Sequence, residues 1–285
     1  MPGFPSLSER ASTNRRWSFS SCPRISIITP TRNQARFLES AILSVLNQGY
    51  PDLEYIIIDG GSTDGTGEVI KKYQRHISSW LSEPDNGMYQ AINKGLRIAT
   101  GEIIAYLNSD DLYLPNAFRV VVEHFHRQPK AALLYGDCLF IDEQGYPLYT
   151  YRYLPFNLHR YAAMNWSSIA QPATFWKSEI HRAGIYFDES FRMIGDFDFF
   201  LRVGQRFRID YLREQIAAFR LHRNSQSARH CAVRREELAR MRKKHHLLCC
   251  TRGRILRRYL GECRIKLANF PLMLRKFLRK GQGWW

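Results

Sequence analysis

Two adjacent carboxylates close the stretch Leu107-Asn108-Ser109-Asp110-Asp111, directly after the apolar run Glu102–Leu107. Mg²⁺ and Mn²⁺ are held by one or two carboxylates together with substrate phosphates, so an acid pair at a strand end suits a metal–diphosphate site. The same pair could instead cap a helix predicted to start near Pro115. A second candidate is Asp59-Gly60-Gly61-Ser62-Thr63-Asp64-Gly65-Thr66. Its glycines allow close backbone approach, and Asp59 can accept a hydrogen bond from a base edge or a ribose hydroxyl. A plainer reading has Ser62 or Thr63 capping a helix, with Asp64 near its positive end. The turn is not a Walker loop, because no Gly-Lys-Ser/Thr follows, and it does not match the Gly-x-Gly-x-x-Gly fingerprint.

These residues need elements to hold them. Arg24–Thr29 and Glu54–Asp59 are short β-rich runs, and Ile77–Leu81 suits a third short strand. Phe37, Leu38, Ala41, Ile42, Val45 and Leu46 recur at helical spacing, with Gly49 and Pro51 as stop signals. Further helices are expected through Val69–Tyr73, Ala91–Leu96, Pro115–His126 and Phe197–Val203. Strands are expected at Glu102–Leu107, Ala131–Tyr135, Ile209–Leu212 and Gln215–Phe219, with a hairpin pairing Cys138–Asp142 and Tyr146–Tyr151 across Glu143-Gln144-Gly145. Pro155–Trp176 is aromatic and irregular, and suits an acceptor wall; Trp166 and Gln171–Phe175 fit such a wall or ordinary packing. Alternation of strand and helix predicts an α/β fold with a mostly parallel, Rossmann-like central sheet flanked by helices. The acid pair then falls at the carboxyl edge of that sheet, where open α/β folds bind ligands.

The chain has 285 residues, 45% hydrophobic and 13% aromatic, enough for a sizeable core. Its net charge of +16 is uneven: residues from Arg220 onward carry 19 Lys and Arg against 3 acids, so the part before them is neutral. Basicity therefore concerns the partners of the tail rather than the chemistry. The six cysteines show no zinc-like spacing and read as reduced thiols of a cytosolic protein. Residues 1–24 resemble neither a signal peptide nor a membrane anchor and are expected to be a disordered leader.

Thr29-Pro30-Thr31-Arg32-Asn33, the Asp59–Thr66 turn and Leu107–Asp111 stand in an order and spacing that resembles the family 2 glycosyltransferases. Ser82–Gly95 is similar to a subgroup associated with bacterial surface polysaccharides. The resemblance covers roughly residues 25–227 and implies a GT-A catalytic domain that inverts configuration at the sugar's anomeric carbon. It implies a nucleotide-sugar donor, a divalent cation (Mg²⁺ or Mn²⁺) and a saccharide or lipid-linked acceptor.

Carried over by residue, the resemblance places Thr29, Pro30, Thr31 and Asn33 beside the nucleotide, with Asp59 on the base and Gly61 and Asp64 in the same turn. Asp85 and Lys94 fall near the nucleotide or its sugar. Asp110 and Asp111 occupy the metal motif, often Asp-x-Asp, but Asn108 stands where its first acid would be. Asp111 is then the expected metal ligand, with Asp110 toward the donor. Asp196 matches the base that deprotonates the acceptor hydroxyl, although Gly195 replaces the family's usual Glu before it; an N-cap is the alternative role. His222 would lie in a segment closing over the diphosphate, as a metal or phosphate contact or as a structural histidine, with Arg220 and Arg223 to neutralise charge.

Residues 228–285 read as a basic helical extension. Within it, Ile255, Leu256, Tyr259, Leu260, Cys263, Leu267 and Phe270 form an apolar stripe, and Trp284-Trp285 ends the chain. This suits docking on an anionic membrane surface, hence a place in the cytoplasm or peripheral on the inner face of the plasma membrane, or else packing on the catalytic domain. Two other classes compete. A sugar-phosphate nucleotidyltransferase would carry a Gly-rich basic loop after the first strand, and Thr29–Gln34 has no glycine. A nucleic-acid-binding protein could use the tail, yet no nucleic-acid motif accompanies it.

Overall fold

β-Branched runs and amphipathic segments alternate in the first half of the chain, and each becomes an element of one sheet-centred domain. The computed structural model describes residues 22–223, 225, 231–245, 260 and 262–269. Its strands are β1 (Ile25–Thr31), β2 (Leu53–Asp59), β3 (Ser79–Ser82), β4 (Ile103–Tyr106), β5 (Leu112–Tyr113), β6 (Leu133–Ile141), β7 (Pro147–Tyr151), β8 (Thr174–Lys177) and β9 (Ile209–Arg220). Its helices are α1 (Ala35–Leu46), α2 (Thr66–Tyr73), α3 (Met88–Ile98), α4 (Ala117–Arg127), α5 (Leu158–Ala163), α6 (Glu179–Arg182), α7 (Gly195–Arg206) and α8 (Cys231–Lys244).

The sheet runs β3-β2-β1-β4-β8-β6-β9-β5, with β7 beside β6. β3, β2, β1 and β4 are parallel to one another, as the alternation predicts. Beyond β4 the sheet is mixed: β8 is antiparallel to β4 and β6, β9 is parallel to β6, and β5 is antiparallel to β9. The parallel pattern thus governs the first half, and hairpin-like returns build the second.

Successive residues of a strand face opposite ways, so β1 feeds two cores. Ile27 joins Leu38, Ile42, Ile70 and Phe118 under α1, α2 and α4. Ile28 joins Ala91, Ile92, Phe197 and Phe200 under α3 and α7. Gly95 lets α3 lie close on β1, since a methyl group there would stand 2.6 Å from Ile28. Leu238 and Met241 of α8, with Ile265 further on, are buried in the same core as α3 and α7.

Several expectations are corrected. The two strands expected at Ile209–Leu212 and Gln215–Phe219 are one strand, β9. Its register against β6 jumps from Gly136–Leu212 to Asp137–Gln215, so Arg213 and Glu214 bulge out, and a pair of charges that resembles a turn is a β-bulge. Ala131–Tyr135 and Cys138–Asp142 likewise merge into β6. Within the stretch expected to be irregular, Thr174–Lys177 is a central strand whose Phe175 and Trp176 are fully buried. Four residues after Pro172 are too few to show a period. The helix expected from Pro115 begins at Ala117 with Asn116 before it, and β5 intervenes, so neither Asp110 nor Asp111 caps it. Gly65, rather than Ser62 or Thr63, precedes α2.

Among the described residues no helix is long and apolar enough to cross a membrane. Of the expected apolar stripe, Leu260 and Leu267 are exposed; the buried residues of this segment are instead Ile265 and Asn269, which the stripe did not include. Cys263 of the stripe is half-buried, while Ile255, Leu256, Tyr259 and Phe270, most of the leader, Trp284 and Trp285 lie outside the described residues.

Candidate active site

Parallel strands deliver their carboxyl ends to one edge of the sheet, and three of them end on or just before candidate residues. β1 ends at Thr31 and β2 at Asp59, while β4 ends at Tyr106, two residues before Asn108. At that edge lies a cleft of about 280 Å³, lined among others by Pro30, Thr31, Asp85, Tyr89, Asn108, Asp110, Gln171 and Asp196. Six of the residues singled out from sequence therefore share one cavity wall: Pro30, Thr31, Asp85, Asn108, Asp110 and Asp196.

Others do not line the cleft. Thr29 is buried, and its hydroxyl pairs with the Tyr55 phenol at 3.1 Å. Asn33 clips the loop after β1 to the loop after β2: its main-chain N–H donates to Ser62 Oγ at 2.7 Å, and its Oδ1 accepts from the Thr63 N–H at 2.9 Å. Asp64 accepts from the first N–H of α1, at Ala35, and from the Thr66 hydroxyl. These loop bonds draw its carboxyl below the ordinary range, against the opposing pull of its partial burial. Asp59 is buried and accepts from Ser62 Oγ and Ser82 Oγ at 2.5 and 2.6 Å. Gly60 leaves room for Asp85, whose Oδ2 would stand 2.4 Å from a methyl group at that position. Gly61 takes a positive φ of 77° against Pro84. Lys94 pairs with Glu83 at 2.6 Å and does not line the cleft.

The two acids of the opening pair diverge. Asp110 faces the cleft and pairs through Oδ2 with His222 Nε2 at 2.9 Å. Asp111 is 1% exposed, and its Oδ1 accepts the main-chain N–H of Arg220 at 3.0 Å. Burial, reinforced by the Asp110 charge, pushes the Asp111 carboxyl well above the usual range. Arg220, expected beside the diphosphate, is instead turned inward. It donates to the carbonyls of Asp110, Asp142 and Glu143 and lies over the Phe37 ring. His222 is also buried, tilted against Phe37, and its Nδ1 has no hydrogen-bond partner.

Among the described residues no three His, Cys, Asp or Glu side chains converge to hold a metal by themselves. The oxygens present do suit a hard cation that takes its other ligands from phosphate and water. Asp110 offers a carboxylate in the cleft, and Asn108 lines the same wall with a buried Oδ1 that has no hydrogen-bond partner. The Asn108 amide nitrogen is occupied, donating to Gln171 Oε1 at 3.0 Å, so the oxygen is the free end.

Asp196 lies in the first turn of α7, where the helix dipole favours negative charge. Its Oδ1 accepts the Phe197 N–H at 2.8 Å. Burial outweighs these contacts and raises its carboxyl to about 6. Tyr89 of α3 comes against it, with the phenol oxygen accepting the Asp196 N–H at 3.2 Å. The Tyr89 ring also fills the space beside Gly195, where a methyl group would stand 2.6 Å from the ring. Asp196 additionally lines a second cavity of about 360 Å³, with Tyr153, Trp166, Phe140 and Phe219 around it and Arg234 of α8 at one side. Tyr89 and Glu237 of α8, whose carboxylate reaches the turn before Asp196, were not singled out from sequence. The unusual Gly195 was the one available hint of the first.

Residues 26–175, just over half of the chain, match the family model described as glycosyl transferase family 2. A glycosyltransferase from Nostoc with no assigned role is 38% identical over 105 residues, 36% of this chain and 33% of its own length. A Bacillus subtilis glycosyltransferase, TuaG, named for teichuronic acid biosynthesis, is 32% identical over 139 residues, 48% of this chain and 55% of its own. The chain thus spans about a third to a half of the length of these relatives. In shape it is similar to the mannosyltransferase PcManGT of Pyrobaculum calidifontis, solved with GDP-mannose and Mn²⁺. That likeness has a TM-score of 0.62 at 19% identity and covers 93% of this chain and 77% of the other.

Proposed function

Because the chain belongs to glycosyl transferase family 2, we propose that it moves a sugar from a nucleotide-sugar donor to an acceptor hydroxyl, with inversion and with Asp196 as the base. The observation that carries this reading is that Asp196 borders two cavities at once. One is the cleft at the carboxyl edge of the parallel strands, beside Asp110 and Asn108. The other is walled by aromatic rings suited to the apolar face of a sugar. A carboxylate at their junction can take the proton of a hydroxyl entering from the second while a donor occupies the first.

In this reading the base and ribose lie along the ends of β1 and β2, between Pro30, Thr31 and Asp85, with Asp59 fixed behind them by Ser62 and Ser82. A divalent cation bound by Asp110 and Asn108 would neutralise the charge of the departing diphosphate. His222 holds the Asp110 carboxylate in place, and Asp111 anchors the strand end through Arg220. This assigns the metal contact to Asp110 in preference to Asp111. The raised carboxyl of Asp196 remains mostly ionised at neutral pH and is a stronger base than an exposed aspartate. The acceptor is a saccharide, free or lipid-linked, and surface polysaccharide assembly is the setting that the relatives' names support.

A panel of UDP- and GDP-sugars with Mn²⁺ would identify the donor by hydrolysis or transfer. Asp196→Asn should then lose transfer by a factor of about 100 or more while binding nucleotide as before. Retained transfer by this variant would reject the assignment of the base.

A further inference from the structure

Glu237 lies on α8, beyond both the stretch matched by the family and the segment that carries the sequence resemblance. It is a carboxylate only 6% exposed, and no lysine or arginine neutralises it at salt-bridge distance among the described residues. Its oxygens are taken up by three consecutive main-chain N–H groups: Arg192 at 2.6 Å on Oε1, with Met193 at 2.9 Å and Ile194 at 3.2 Å on Oε2. These three residues immediately precede Gly195 and Asp196, and Ile194 is the N-cap of α7. The N-cap of α7 makes no side-chain cap bond of its own; its Ile194 N–H, with the two N–H groups of the chain leading into it, is satisfied from another helix.

The end of the same helix and the residue after it hold α7 again one turn further along α7. Lys244 and His245 contact Asp198 Oδ1 at 2.9 and 2.7 Å, while Arg202 holds its other oxygen at 2.7 Å. Arg240 donates to the Ser190 carbonyl at 2.6 Å. Asp196 lies between these two points of attachment, at the only place on the turn where a carboxylate borders both cavities. A buried charge that satisfies three adjacent amides is much more than helix packing requires, because burial of α8 is already supplied by Leu238 and Met241.

We infer that Glu237 is a positioning residue for the base: the C-terminal helix completes the active site by fixing the backbone that aims Asp196. The inference rests on the reading of Asp196 as the base. A displacement of about 1 Å in a reacting group can cost 100-fold in rate, so loss of this clamp should act on turnover.

The test uses the full chain and the best donor from the nucleotide-sugar panel. Glu237→Ala should lower kcat by about 10- to 100-fold, with KM for the donor and nucleotide affinity by calorimetry within about twofold. Glu237→Gln keeps one acceptor oxygen and should recover part of the loss, placing kcat between the two. Amide exchange in the native protein should show Met193 and Ile194 protected, and Glu237→Ala should release them. Unchanged kcat in folded Glu237→Ala would overturn the inference, as would a loss shared equally between kcat and nucleotide affinity. If the alanine variant does not fold, a Gln variant with full activity and unprotected Met193 and Ile194 amides in the native chain would overturn it. Asp196→Asn is assayed alongside: if it stays active, the base assignment itself fails, whereas an inactive Asn variant beside an unaffected Glu237→Ala defeats only the clamp.

Discussion

The phenol oxygen of Tyr89 accepts the main-chain N–H of Asp196 at 3.2 Å, while its ring occupies the space that a side chain at position 195 would need. One residue of α3 thereby replaces the acidic side chain that the family resemblance places at 195, and reaches the same turn from the opposite helix. Tyr89→Phe keeps the ring and loses the bond, so turnover should fall about 3- to 10-fold with nucleotide binding intact. Gly195→Ala should destabilise the fold by about 1–3 kcal/mol, because a fully packed ring must move. Urea unfolding and steady-state kinetics on both variants check this; a Gly195→Ala protein as stable as the parent would refute the packing.

Asp196 should govern both pH dependences. With its carboxyl raised to about 6, the base is ionised only above that point, so turnover should climb through pH 6 and level off. Stability moves the other way. Holding the charged form in this half-buried, poorly solvated site costs almost nothing below about pH 4, where the folded and unfolded chains are both largely protonated. The cost grows between pH 4 and 6 and is complete above. Asp196→Asn should therefore unfold at higher denaturant at pH 7.5, by an amount on the order of 3 kcal/mol, and match the parent near pH 4. An equal difference at both pH values would contradict the shift.

The divergence of the acid pair gives an asymmetric prediction. Asp110→Asn should weaken Mn²⁺-dependent nucleotide binding tenfold or more, since it removes the cleft-facing carboxylate. Asp111→Asn retains an oxygen for the Arg220 amide and should change that affinity by less than about threefold. Calorimetric titration of UDP and GDP with and without Mn²⁺ separates the two. Equal losses would mean that both acids reach the metal.

Trp166 lines only the second cavity. Trp166→Ala should raise KM for the acceptor about tenfold or more while leaving acceptor-free hydrolysis of the donor unchanged. A rise in donor KM instead would place the donor, not the acceptor, against the aromatic wall.

Strand ends were the most legible part of the molecule. Acids that follow short β-branched runs, such as Asp59 and the 110–111 pair, fell at the carboxyl edge because parallel pairing requires it. Asp196 was found through a motif and arrived in the same cleft. What sequence could not supply was the direction of a side chain within a motif. Asp110 and Asp111 are neighbours with opposite surroundings, set by contacts from the far end of β9 and just past it: the Arg220 N–H on Asp111 and His222 on Asp110. Contacts between distant helices were equally hidden: Tyr89 and Glu237 lie 107 and 43 residues from the groups they bond, and nothing local announces either. β8 was missed because a buried strand of four residues carries no periodic signal.

The place of β8 in the sheet also sets the order in which the protein can be built. β4, the last of the parallel strands, has no partner on its open edge until Thr174–Lys177 has been synthesised, about 70 residues later. At ribosomal rates of about 5–20 residues per second, that edge waits roughly 4 to 14 s. The turn after β4 carries Asp110 and Asp111, whose own side-chain partners Arg220 and His222 emerge later still. A nascent chain would thus hold a half-sheet with an unpaired apolar border and an incomplete catalytic centre, a species prone to edge-to-edge association until β8 pairs.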